Sequence, residues 1–145
     1  MAYLADTSLI LRLNEPSNPV FGIVGHCLER LRQNEEELVI VPQVVVEFWV
    51  VATRPKSVNG LGLSVDEAEA EIKKLQQVFT VLPENEKIFE RWKMLVTKYE
   101  VSGKVAHDAR IVAAMIVHRI ENLLTLNPND FKRFAEINVV SPRDI

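Results

Sequence analysis

Apolar positions along the chain fall into two periods. Short, nearly unbroken apolar runs at residues 3–5, 38–41, 78–82, 122–126 and 137–140 read as buried strands. The run Leu38-Val39-Ile40-Val41 has no polar alternation, as in a parallel sheet covered on both faces. Between the runs, apolar residues recur at helical spacing: Leu9, Ile10 and Leu13, then Ile23, Val24, Cys27, Leu28 and Leu31, and later Ile88, Trp92, Leu95 and Val96. The segment 106–119 is rich in Ala, Ile, Val and Met and apolar nearly all round, which predicts a central helix.

Punctuation agrees with this division. Asp6-Thr7-Ser8 offers good N-caps after the first run, and Pro16 and Pro19 stop the helix that follows. Pro42 suits the first turn of a helix that fades at Arg54-Pro55. Asn59-Gly60 and Gly62 mark a loop over 56–63. Ser64 and Glu67 have the spacing of a capping box that opens a helix to about Gln77. A helix from Asn85 to about Tyr99, a loop at 102–104 and a short helical turn at 130–134 complete the pattern. Strands that alternate with helices argue for a parallel sheet flanked by helices. No repeat or linker divides the chain, so residues 1–145 form one α/β domain.

Composition narrows the classes. An apolar fraction of 48% supplies a substantial core, and no window approaches the apolar length of a membrane span. The single cysteine, Cys27, allows no internal disulfide and no cysteine-based zinc site. The apolar N-terminus is broken by Asp6 and Arg12 and has no basic leader, so a cytoplasmic location is the expectation. A net charge of −3 disfavours a basic protein that coats nucleic acid, but not a nuclease whose acids cluster at a metal.

Glu47 is the one charge in the run Val44-Val45-Val46-Glu47-Phe48-Trp49-Val50-Val51-Ala52. Buried without donors or a cation, it would cost on the order of several kcal/mol. Asp6 and Asp108 also adjoin apolar segments. If the three converge, a divalent metal is the simplest cation that satisfies all of them. Ligands of open α/β sheets bind beyond the carboxyl ends of the strands. There Asp6 follows the first strand, Glu47 lies in the helix after the second, and Asp130 follows the fourth. Asp108 opens the helix that feeds the fourth strand, and a parallel topology is expected to place it at the opposite edge.

Each acid also has a plainer reading. Asp6 is a good helix N-cap and Asp108 suits a helix dipole. Glu47 shares a helical face with Gln43 and Arg54, either as a solvated stripe or as a cleft wall, and Asp130 lies in a surface turn. His107, His26 and His118 have no metal-binding spacing. There is no Gly-x-Gly-x-x-Gly, no Gly-Lys-Ser/Thr and no Gly-x-Ser-x-Gly. What survives is a set of hard oxygen ligands, which suits Mg²⁺ or Mn²⁺ rather than zinc.

Four segments together resemble the PIN-domain family, and within it the VapC-type toxin ribonucleases of bacterial toxin–antitoxin pairs. They are Leu4-Ala5-Asp6-Thr7-Ser8, Pro42-Gln43-Val44-Val45-Val46-Glu47-Phe48-Trp49, residues 103–114 around His107-Asp108-Ala109-Arg110, and Leu124-Thr125-Leu126-Asn127-Pro128-Asn129-Asp130-Phe131. The resemblance implies a five-stranded parallel sheet with helices on both faces, in which Asp108 does reach the acid cluster. It implies metal-dependent hydrolysis of RNA phosphodiesters, with Asp6 and Asp108 holding Mg²⁺ (or Mn²⁺) and Glu47 and Asp130 binding a second ion or orienting water. Asn127 stands where many members carry the fourth acid, so Asp130, assisted by Asn127, is expected to fill that place. Thr7 or Ser8 matches the family's small hydroxyl residue near the metal.

Arg54, Lys56, Lys104, Arg110, Lys132 and Arg133 are candidates for the RNA backbone, or ordinary surface charges. The family further implies a homodimer and a cognate antitoxin, with contacts sought near Phe21 and Ile23. Two alternatives stand beside the toxin: a PIN nuclease of RNA processing, and a non-catalytic binding module.

Overall fold

The computed structural model describes residues 1–145. Five strands pair in parallel: β1 (Ala2–Ala5), β2 (Glu37–Ile40), β3 (Thr80–Val81), β4 (Asn122–Leu124) and β5 (Asn138–Val140), in the order β3-β2-β1-β4-β5. The central strand β1 sets Tyr3 opposite Leu38 on one side and Asn122 on the other. Leu4, Ala5, Val39, Ile40, Leu123 and Leu124 are fully buried, as the unbroken apolar runs require of strands covered on both faces.

Six helices complete the domain: α1 (Thr7–Arg12), α2 (Phe21–Gln33), α3 (Pro42–Thr53), α4 (Val65–Val78), α5 (Glu86–Lys98) and α6 (Val105–His118). Helices α1 to α4 pack among themselves, and α5 packs along α6. The chain winds outward from β1 to β3 and then crosses back to β4. Right-handed crossovers in opposite directions put the two helix groups on opposite faces. The reversal also leaves a crevice between the carboxyl ends of β1 and β4, where the order of an open sheet changes direction and ligands bind.

Several boundaries differ from expectation. Helix α4 continues to Val78, so the third strand is only Thr80–Val81. Ala68, Leu75 and Phe79 are buried at helical spacing while Val78 is exposed, and that inward stripe carries the helix past Gln77. The fourth strand ends at Leu124, and a 3₁₀ turn at Pro128–Asp130 leads into the expected turn, closed by the Phe134 N–H on the Phe131 carbonyl at 3.1 Å. The capping box at Ser64 and Glu67 is present with both bonds, and Pro42 opens α3.

The largest correction concerns Asp108. The Gln43 amide in the first turn of α3 donates to the His107 carbonyl at 2.8 Å, so the first turn of α6 lies at the carboxyl edge. A helix that packs on a parallel sheet and feeds the next strand runs against the strands. Its start therefore lies at their carboxyl ends, and no unusual topology is needed. No helix is long and apolar enough to cross a membrane.

Candidate active site

The crevice between β1 and β4 is built around Asp6, which is 5% exposed. Asp6 is the N-cap of α1 and accepts the Leu9 N–H at 3.3 Å. Its carboxylate also accepts the Ser8 hydroxyl at 2.5 Å on Oδ1 and the Thr125 hydroxyl at 2.6 Å on Oδ2. Each hydroxyl oxygen in turn accepts a backbone N–H, Leu126 onto Ser8 at 3.2 Å and Asn127 onto Thr125 at 3.0 Å. The loop beyond β4 is thereby tied to Asp6 through two side chains. Burial nonetheless raises the Asp6 pKa above its ordinary value, against those hydrogen bonds.

Glu47 is half-buried rather than sealed, because its neighbours on α3, Val46 and Val50, are 62% and 54% exposed. Donors meet its carboxylate: the Thr7 hydroxyl at 2.5 Å on Oε1 and the Gln43 amide at 3.2 Å on Oε2. The apolar run therefore poses a smaller problem than burial would, and Glu47 forms a cleft wall. Gln43, Glu47 and Arg54 line one groove of about 900 Å³ with Val46, Val50, Lys104 and Arg110.

Asp108 joins these parts. Desolvation raises its pKa to about 6, assisted by the charges of Asp130, Asp6 and Glu47 and opposed by His107. Three carboxylates thus act on Asp108 at one edge of the sheet, although Asp130 itself is exposed. Among the three acidic neighbours, Asp130 contributes most to the shift of Asp108. No ion pair in the molecule includes any of the four. Arg110, the cation at the rim, is engaged by Glu84 at 2.7 Å.

The side chains as they stand do not close a cage of three or more ligands. The donor set still fits a hard divalent ion. Mg²⁺ commonly uses one or two carboxylates, keeps several waters and shares the rest of its shell with phosphate. An open cluster of uncompensated carboxylates is what that coordination needs.

The other candidates divide. Arg54, Lys104 and Arg110 line the groove beside Glu47. Lys56 lines a different depression, with Asn14, Glu15 and Gly60. Lys132 and Arg133 are exposed outside the groove. Asn127 is exposed and reaches the site through its backbone N–H, not its amide. Thr7 binds Glu47 and Ser8 binds Asp6, so both hydroxyls serve the acids. Two residues had no role assigned from the sequence: Thr125, whose hydroxyl holds Asp6, and Gln43, whose amide holds Glu47.

A model of the PIN domain family matches residues 3–137. Among curated proteins, the chain is 27% identical over 143 residues to a protein named Ribonuclease VapC from Rickettsia bellii (strain RML369-C), covering 97% of this chain and 96% of that one. The crystal structure of VapBC2 from Rickettsia felis bound to a promoter DNA fragment has a similar fold, with a TM-score of 0.74 at 18% identity over 97% of this chain and 98% of that chain. A toxin–antitoxin complex from Klebsiella pneumoniae gives a TM-score of 0.67 at 24% identity over 97% of each chain.

Proposed function

The chain belongs to the PIN domain family, and on that premise we propose that it is a metal-dependent endoribonuclease, the toxin of a bacterial toxin–antitoxin pair. The observation that carries the reading is the group of four carboxylates, Asp6, Glu47, Asp108 and Asp130, unpaired with any cation and set beside a groove with three basic residues. Asp6 and Asp108 would hold Mg²⁺ or Mn²⁺, and Glu47 and Asp130 would bind a second ion or orient water. A bound divalent ion supplies positive charge to phosphoryl oxygens and lowers the pKa of the attacking water.

The chain's own residues do the rest. Thr7 and Gln43 hold the Glu47 carboxylate in place, while Ser8 and Thr125 hold Asp6. Arg54, Lys104 and Arg110 offer the RNA backbone three cations along the groove. The name of the Rickettsia relative supports ribonuclease activity. The folds of the toxin–antitoxin complexes support an antitoxin partner, and a homodimer belongs to the same reading. A short antitoxin reading frame beside the gene is expected, and its absence would favour the RNA-processing alternative.

The test is cleavage of total cellular RNA by purified protein with and without Mg²⁺ or Mn²⁺. Cleavage is expected only with the metal, and Asp6→Asn and Asp108→Asn should each abolish it while the protein stays folded by circular dichroism. A wild-type protein that cuts no RNA in either metal would overturn the proposal.

A further inference from the structure

Gln43 occupies the first turn of α3, one helical turn before Glu47, and its amide meets three groups from two helices. Nε2 donates to Glu47 Oε2 at 3.2 Å and to the His107 carbonyl at 2.8 Å. Oε1 accepts from Arg110 Nη1 at 3.2 Å. Only one orientation of the amide satisfies this arrangement. The flipped form would set its NH₂ against a guanidinium and its oxygen against a carboxylate and a carbonyl, neither of which can donate.

We propose that Gln43 is a positioning residue that couples the acid cluster to the RNA-binding rim, aiming Glu47 into the cluster and Arg110 along the groove. The inference rests on the ribonuclease reading and deepens it. Glu47 and Arg110 lie on different helices, α3 and α6, and Gln43 contacts both. Arg110 has a second partner, Glu84, whose carboxylate accepts from Nη2 at 2.7 Å and, at 3.5 Å, from Nη1. Both members of that pair are substantially exposed, at 40% and 46%, and exposed pairs contribute little. A phosphate of the RNA can therefore take the place of Glu84 on Arg110. Gln43 holds Nη1 at 3.2 Å, closer than the 3.5 Å contact of Glu84 with the same nitrogen, so its bond would outlast that exchange. Engagement of the backbone by Arg110 then bears on the orientation of Glu47 through a single side chain.

The experiment measures Mn²⁺ binding by calorimetry on the purified full chain, and kcat and KM on a short RNA that the wild type cuts. Gln43→Met keeps the length of the side chain and removes all three bonds. It is expected to weaken Mn²⁺ binding about tenfold, the low end for losing a group that orients a ligand, and to lower kcat and raise KM. Gln43→Glu keeps an acceptor for Arg110 but opposes Glu47 with a like charge, so kcat should fall while KM stays near wild type. Arg110→Met should raise KM with Mn²⁺ affinity unchanged, and its effect on KM should shrink in the Gln43→Met background. Should Gln43→Met not fold, Gln43→Glu carries the test through its split of kcat from KM.

Mn²⁺ affinity and both kinetic constants within about twofold of wild type in both Gln43 variants would overturn the inference. So would additive effects of Gln43→Met and Arg110→Met on KM. A wild-type protein that neither binds Mn²⁺ nor cleaves RNA would instead remove the ribonuclease reading, so the two failures are told apart.

Discussion

Thr125 is fully buried, and its hydroxyl is used twice, as donor to Asp6 and as acceptor from Asn127. Because the Asn127 N–H occupies a lone pair of the oxygen, the hydroxyl proton is left to face the carboxylate. Thr125→Val preserves the shape but leaves a buried carboxylate oxygen and an N–H without partners. The expected loss is on the order of 1–3 kcal/mol in urea unfolding, together with most RNA cleavage, and Thr125→Ser should recover both. A Val variant as stable and active as wild type would mean that water replaces the hydroxyl.

Asp108 gives a prediction of opposite sign. Its pKa in the folded chain is raised to about 6 by desolvation and then by its acidic neighbours. A raised carboxyl contributes stability that is complete below the unfolded pKa and lost as pH rises through the folded value. Without metal, Asp108→Asn should therefore melt above wild type at pH 7.5, and the difference should shrink as pH falls and vanish only below the unfolded value of 3.8. Added Mg²⁺ should reverse the order at pH 7.5, since only the wild type retains that carboxylate.

The acids were legible in the sequence because they interrupt apolar runs or follow strands directly. Thr125 was not, because a threonine at the end of an apolar run is an ordinary strand residue. Its role exists only through contact with Asp6, 119 positions away. Gln43 was visible as one member of a polar face, but its bonds to α6 span 64 and 67 positions. No periodicity reports contacts of that range.

At the scale of elements, local chemistry was read well where it is local. The capping box, the proline at the start of α3 and the inward faces of α2 and α5 follow from residues within one or two turns. For Asp108, topology alone points to the opposite edge while the family resemblance implies the acid cluster; α6 runs against the strands, so its start lies at their carboxyl ends with Gln43. The apolar runs at 78–82 and 122–126 are longer than the strands they contain, because Val78, Phe79 and Thr125 suit a strand by type yet serve a helix, a cap and the site.

One loop position offers a test of how α3 ends. A Cβ on Gly60 would lie 1.8 Å from the Arg54 carbonyl oxygen and 2.2 Å from its carbon. Those atoms are backbone, held by the Gly62 N–H at 2.9 Å and close to the Gly60–Pro55 bond at 2.9 Å. Gly60→Ala must therefore displace the end of α3 and with it the Arg54 side chain in the groove. The expected cost is on the order of 1–3 kcal/mol by thermal melting, with weaker RNA binding. Unchanged melting and binding would show that this loop yields freely.

For the molecule as a whole, the acid cluster and the net charge of −3 both oppose RNA, so attraction must be local. In the proposed reading the groove would supply it through Arg54, Lys104 and Arg110, which line it, while Lys132 and Arg133 lie outside it. Affinity for single-stranded RNA falls with salt by a slope of about −0.7 per phosphate contact, so three contacts imply about −2 on a log–log plot. We expect that slope for Asp108→Asn, which binds without cutting, measured by fluorescence anisotropy at fixed Mg²⁺. Lys104→Ala should flatten it by about 0.7 and weaken all sequences alike, because a phosphate contact carries no base information. A slope of about −3.5 would bring Lys132 and Arg133 into the binding surface, and a slope near zero would remove the groove from RNA recognition altogether.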